Sequence, residues 1–172
     1  AVSGGARVLS DTLIRICGRE RAPLGLSIAA LLFCFPIFLD AAYVVMLPII
    51  FAVARELKGS VLLYGLPVAG AALVMHALMP PHPGPVAAAV FLHADIGLVL
   101  FVGLLVGLPT WYVMGYHLAV KLANKTPFQP VPDLMGSEEN DGAPPPGFNT
   151  VLLVLLLPLV LIFLNTGLNT LA

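Results

Sequence analysis

Charge is what this sequence has least of. Its 172 residues include 8 Lys and Arg and 9 Asp and Glu, or 10% of the chain, against about 25% in ordinary soluble domains. That supply cannot build a surface facing water, which excludes a soluble enzyme, and the strong apolar bias excludes a disordered tail. With a net charge of −1 and no basic stripe, a nucleic-acid binder is excluded as well. Cysteine is nearly absent. Cys17 and Cys34 are too few for a disulfide scaffold, and Cys34 lies inside an apolar run. No signal peptide opens the chain, since Ala1–Gly18 lacks a charged start, an apolar core and a small-residue cleavage site. Metal motifs are missing too: there is no His-Glu-x-x-His and no Cys-x-x-Cys, and prolines separate His76 from His82 and His93. No metal, haem or other cofactor is therefore expected.

Apolar residues make up 59% of the chain and the mean hydropathy is +1.01, so lipid is the solvent for much of it. The expected class is all-α, a polytopic membrane protein with broken transmembrane helices. The first apolar stretch, Leu24–Ala54, carries one charge, Asp40. As a helix it would measure roughly 46 Å, more than one crossing, whereas two crossings need about 40 residues. The arithmetic favours one crossing made of two half-helices, broken at Phe35–Asp40, where Pro36 lacks an N–H. Val61–Met79 follows, then a run with prolines at 80, 81, 83 and 85, a short apolar helix at Val86–His93, and a long stretch at Ile96–Val120 that Pro109 should kink. The resulting division is a loop and amphipathic helix at 1–23, with a re-entrant form left open, a transmembrane bundle at 24–123 with breaks near 35–40 and 79–85, a proline-rich acidic aqueous linker at 124–149, and a transmembrane helix of a following half at 150–172. Four Lys or Arg precede the first stretch and four follow it, so the positive-inside rule gives no orientation.

The residues that do not belong in lipid carry the functional reading. Proline-rich breaks at membrane depth are tolerated where they are buried in protein or line a cavity, and transporters use such breaks to bind anions at half-helix N-termini. A charged Asp at mid-bilayer costs about 2.5 to 3.5 kcal/mol on insertion scales. Asp40 thus reads as a proton-coupling or substrate-gating carboxylate, or as the N-cap of a half-helix starting at Ala41. His82 sits inside the second break and His76 one helical turn before it, and a His there could relay a proton or bind a hydroxylated acid; an interhelical hydrogen bond is the rival reading for His76. His93, beside Asp95, reads as interfacial, and His117 belongs with Trp111, Tyr112 and Tyr116 in an aromatic belt. Ser3, Gly4 and Gly5 read as a turn or as a re-entrant tip offering N–H groups to an anion. Asn165, Thr166 and Asn169 read as interhelical hydrogen-bonders, and Gly65, Gly70, Gly103 and Gly107 as packing residues.

The stretch His76-Ala-Leu-Met-Pro-Pro-His-Pro-Gly-Pro-Val-Ala-Ala-Ala89 resembles the signature of the gluconate permease family of gluconate:proton symporters. Ser3-Gly4-Gly5-Ala6, Phe35-Pro36-Ile37-Phe38-Leu39-Asp40, Leu47-Pro48-Ile49 and Gly107-Leu108-Pro109-Thr110-Trp111 are similar to the family's segments, in order along the chain. The resemblance implies import of gluconate or a related sugar acid by proton symport, in a multi-pass protein of the bacterial inner membrane. It also implies that the chain is an internal piece of a longer permease whose remaining half is its partner, with homo-oligomerisation left open. The substrate would meet Ser3, Gly4, Gly5, Asp40, His76 and His82, with Asp40 and His82 handling the proton. Leu39-Asp40-Ala41-Ala42-Tyr43 departs from the aromatic and glycine residues common there, which leaves the sugar acid undetermined. Two rivals stand beside this reading: a membrane-embedded enzyme pairing His82 with Asp40 or Asp95, and an assembly subunit without a transport path.

Overall fold

The computed structural model describes residues 5–35 and 38–131, with 147, 149, 150, 153 and 157 beyond them. Ser3, Gly4, most of the acidic linker and the polar residues of the last apolar stretch lie outside the described residues. Every regular element described is helical: α1 (Gly5–Cys17), α2 (Ala22–Cys34), α3 (Leu39–Glu56), α4 (Val61–Leu78), α5 (Pro83–Phe91), α6 (Ile96–Thr110), a π-helical segment (Trp111–Leu118) and α7 (Ala119–Lys125).

Local chemistry sets most of the boundaries. Gly18, at φ +78°, turns the chain out of α1, and a proline in the first turn of α2 starts that helix without wasting a donor. Two helices end in the same 6→1, 5→2 hydrogen-bonded turn. After α3, Gly59 N–H donates to Ala54 O (3.0 Å) and Lys58 N–H to Arg55 O (3.2 Å). After α5, Ala94 N–H donates to Ala89 O (2.9 Å) and His93 N–H to Val90 O (3.2 Å). This motif needs a left-handed residue, usually glycine, yet Lys58 and His93 fill it, each at φ 51°. Glycine sits one place later, at 59, because a Cβ there would come within 2.5 Å of the Tyr64 hydroxyl.

α4 is the post on which α2, α3 and the α6–α7 stretch stack, and its contacts give their directions. Ser27 of α2 bonds to the carbonyl of Pro67 and Cys34 meets His82, so α2 runs parallel to α4. α3 comes back the other way. Its start, at Leu39 and Asp40, faces Ala69 and Leu73, and a short turn joins its end to the start of α4. The expectation of one crossing through Leu24–Ala54 is therefore corrected: α2 and α3 form a helical hairpin. The length argument required both arms to cross the whole bilayer. α2, with 13 residues, is about 20 Å long, short of a hydrocarbon core of about 30 Å.

Two stretches, Val61–Phe91 and Ile96–Lys125, are long and apolar enough to cross a membrane by length and composition. The second passes through Pro109 without ending. Proline cannot donate to the ladder and its ring crowds the carbonyl four residues back; the helix widens into the π-helical segment just beyond it. That segment lets the backbones of two helices touch. A Cβ on Gly70 would lie 2.5 Å from both Cα and O of Gly115. Gly103 lies in the same way against the Leu78 carbonyl, and Gly107 makes room for the end of the Met79 side chain.

Gly70→Ala should cost about 1–3 kcal/mol by overpacking, whereas Lys58→Gly should stabilise by about 1 kcal/mol by relieving the left-handed strain. Thermal unfolding of the two variants in detergent should move in opposite directions.

Candidate functional site

A helix that stops leaves its last carbonyls without intrahelical donors. α2 stops at Cys34, and the second break supplies the missing donor: His82 Nε2 lies 2.9 Å from the Cys34 carbonyl. A carbonyl can only accept, so Nε2 carries the hydrogen and Nδ1 is left as the free nitrogen. His82 is 3% exposed and precedes α5. Its ring meets that of His76 edge-on, with centroids 5.0 Å apart. Among the described residues the buried Nδ1 of His76 has no hydrogen-bond partner. The two histidines singled out in the sequence are thus brought together, and one of them also ties the hairpin to the break after α4.

Asp40 occupies a different position. It is the second residue of α3, whose N-cap position is held by Phe38, and it makes no side-chain cap. The capping reading, with a helix from Ala41, is corrected because the helix begins two residues earlier. Asp40 is exposed and lines a cleft of about 330 Å³ with Leu39, Tyr43, Val44, Ala69 and Leu73. Ala69, Leu73 and His76 are spaced i, i+4, i+7, so the cleft and the histidine share one face of α4. Among the described residues no hydrogen bond or ion pair joins Asp40 to either histidine. The Tyr43 hydroxyl points to the Gly65 carbonyl at 3.4 Å.

Beside these lies a polar chain that sequence reasoning missed. Trp111 Nε1 donates to Ser27 Oγ (2.8 Å), and the Ser27 hydroxyl donates to the Pro67 carbonyl (2.8 Å). Ser27 is fully buried, and both bonds are satisfied in one direction. A lone Ser in an apolar helix gives no hint of a partner 84 residues away. Of the other residues considered, Asp95 caps α6 by accepting from Leu98 N–H (2.8 Å), which gives it a structural task. Tyr112, Tyr116 and His117 pack ring to ring, with Tyr112 and His117 exposed. Gly5 is the first residue of α1. Among the described residues no group of three His, Cys, Asp or Glu is placed to hold a metal.

Ser27→Ala should leave the Trp111 N–H unpaired and cost about 1–3 kcal/mol. Adding Trp111→Phe should cost less than the single changes imply, a coupling that a double-mutant cycle of unfolding free energies would read.

The GntP family permease model matches residues 1–172, the whole chain. The inner membrane permease YgbN of Escherichia coli is 37% identical over 95% of the chain and 38% of its own length. A gluconate permease of Pseudomonas aeruginosa is 34% identical, covering 96% of the chain and 37% of the relative. A gluconate permease of Bacillus licheniformis is 35% identical, over 96% and 38% respectively. The chain thus spans well under half the length of these relatives. No solved structure matches it.

Proposed function

The chain belongs to the GntP permease family, a family of transporters and not of enzymes, and we propose that it contributes to a bacterial inner-membrane pathway importing gluconate or a similar sugar acid with a proton. The relatives' names, gluconate permease and inner membrane permease, support the substrate class and the location. The observation that carries the reading is the placement of the cleft. Ala69 and Leu73 lie about 12 to 18 Å along α4 from Val61, close to the middle of a hydrocarbon core of about 30 Å. An ionisable residue beside a cleft at that depth is a functional residue by default.

The chemistry of a sugar acid suits this cleft under one condition. Its hydroxyls can donate to the Asp40 carboxylate, but its own carboxylate and an ionised Asp40 repel strongly between apolar walls. A proton on Asp40 removes the repulsion, so anion and proton enter together. The first N–H groups of α3 lie beside Asp40 and favour negative charge. α5 is a poorer anion site, because two of its first three residues, Pro83 and Pro85, have no N–H. His82 keeps one ring nitrogen for a proton while the other holds Cys34 O. Ser3, Gly4 and Gly5 remain part of the proposed substrate path at the start of the chain.

Uptake of labelled gluconate by the complete protein in vesicles, with and without an imposed pH gradient, tests the reading. A gradient should drive accumulation. Asp40→Asn should abolish gradient-driven accumulation while leaving gluconate exchange; full accumulation in that variant would remove Asp40 from coupling. His82→Gln, which keeps a donor for Cys34 O but cannot titrate, should fold and lose the pH dependence, whereas His82→Ala should also lose about 1–3 kcal/mol of stability.

A further inference from the structure

The balance of cations along the sequence, four on each side of the first apolar stretch, holds only if that stretch crosses the membrane once. The α2–α3 hairpin returns the chain to the side it came from, and the count changes. Arg15 lies in the last turn of α1, and Arg19 and Arg21 in the turn leading into α2. Arg55 lies in the last turn of α3, Lys58 turns the chain into α4, and Lys121 and Lys125 belong to α7. Val61 N–H donates to Gln129 O (2.9 Å) and Gln129 N–H to Ser60 Oγ (3.2 Å), which pins the segment after α7 to the start of α4. With α2 parallel to α4, and α3 and α6–α7 antiparallel to it, these seven residues collect at one end of the bundle. All seven are exposed; the eighth, Arg7, belongs to the first turn of α1. Glu20 and Glu56 share that end, but acidic residues count little in setting orientation. At the other end the exposed residues between helices include Phe38, Pro81, Leu92, His93 and Asp95, and among the described residues there is no Lys or Arg with them.

We infer that the seven-cation end is the cytoplasmic face, seated at the anionic headgroups of the inner leaflet, and that the hairpin tip and the His76–His82 pair lie toward the periplasmic side. Retention of Lys and Arg on the cytoplasmic side orients membrane proteins, and the negative surface of that leaflet holds such cations near it. The residues flanking α4 thus separate by side: Lys58 and Ser60 inside, Pro81 and the α5–α6 loop toward the outside. The inference rests on the chain being part of a membrane permease.

Trypsin on the unmodified complete protein tests this, since it cuts after Lys and Arg. Cleavage after Lys58, Lys121 or Lys125 is expected in inside-out membrane vesicles and not in intact spheroplasts; cleavage from the outside overturns the inference. Should the turns resist trypsin on both sides, single cysteines decide, introduced as Lys125→Cys or Leu92→Cys with the native cysteines replaced. A membrane-impermeant maleimide should label the first only in inside-out vesicles and the second only in spheroplasts, and the reverse pattern overturns the inference. Labelling of both sites from both sides would instead overturn the membrane reading itself. Gluconate uptake measured in the same cells separates the two: reversed sidedness with intact uptake counts against the orientation alone, and correct sidedness without uptake counts against the transport reading alone.

Discussion

The bond from His82 to the Cys34 carbonyl answers the most costly question a broken helix poses in lipid. An unpaired backbone group there has no water to turn to and costs several kcal/mol. Two breaks, each of which would be a liability, are set against each other so that the side chain of one satisfies the backbone of the other. The hairpin, the turn after α4 and the start of α5 are thereby joined at a single buried point. Everything that makes the site follows from it: the ring of His76 is held against that of His82, and α3 is brought back along α4 so that Asp40 overlooks Ala69 and Leu73.

A second constraint is closeness. α4 can be a shared post because its neighbours come unusually near: backbone meets backbone at Gly70 and Gly115, and the indole of Trp111 reaches Ser27 across the core. Without a hydrophobic force between helices in lipid, small residues and buried hydrogen bonds are what remains to hold them. The π-helical segment after Pro109 contributes to both, since Trp111 and Gly115 lie within it and are its two buried residues. A proline that looked like a kink thus becomes a means of docking.

Outward, the chain is strongly apolar. Within the most apolar window of Ile96–Lys125 only 11% is buried, so most of that helix presents Leu, Val and Phe to its surroundings. In water such a surface would demand a partner; beside lipid it needs none. Among the described residues, apart from Asp40 beside its cleft, most charged groups are gathered at the ends, which is the reverse of a soluble fold and the reason charge is so scarce.

The sequence by itself determined the all-helical class, the apolar solvent, the family likeness and the residues worth watching, because composition, proline spacing and a distinctive run such as Pro80-Pro81-His82-Pro83-Gly84-Pro85 are local properties. Helix ends were legible for the same reason wherever proline or glycine stood at them, and misleading where Lys58 and His93 took a glycine's conformation. What only the tertiary structure decided was direction. Whether Leu24–Ala54 continues across the bilayer or folds back depends on contacts of α2 or α3 with α4 and the break after it, 22 to 48 residues apart, and no local pattern encodes them. The same holds for Ser27, whose partner lies 84 residues on. Scarcity of charge could be counted from the first line; that seven of the eight cations share one end could be known only once the hairpin had turned the chain around.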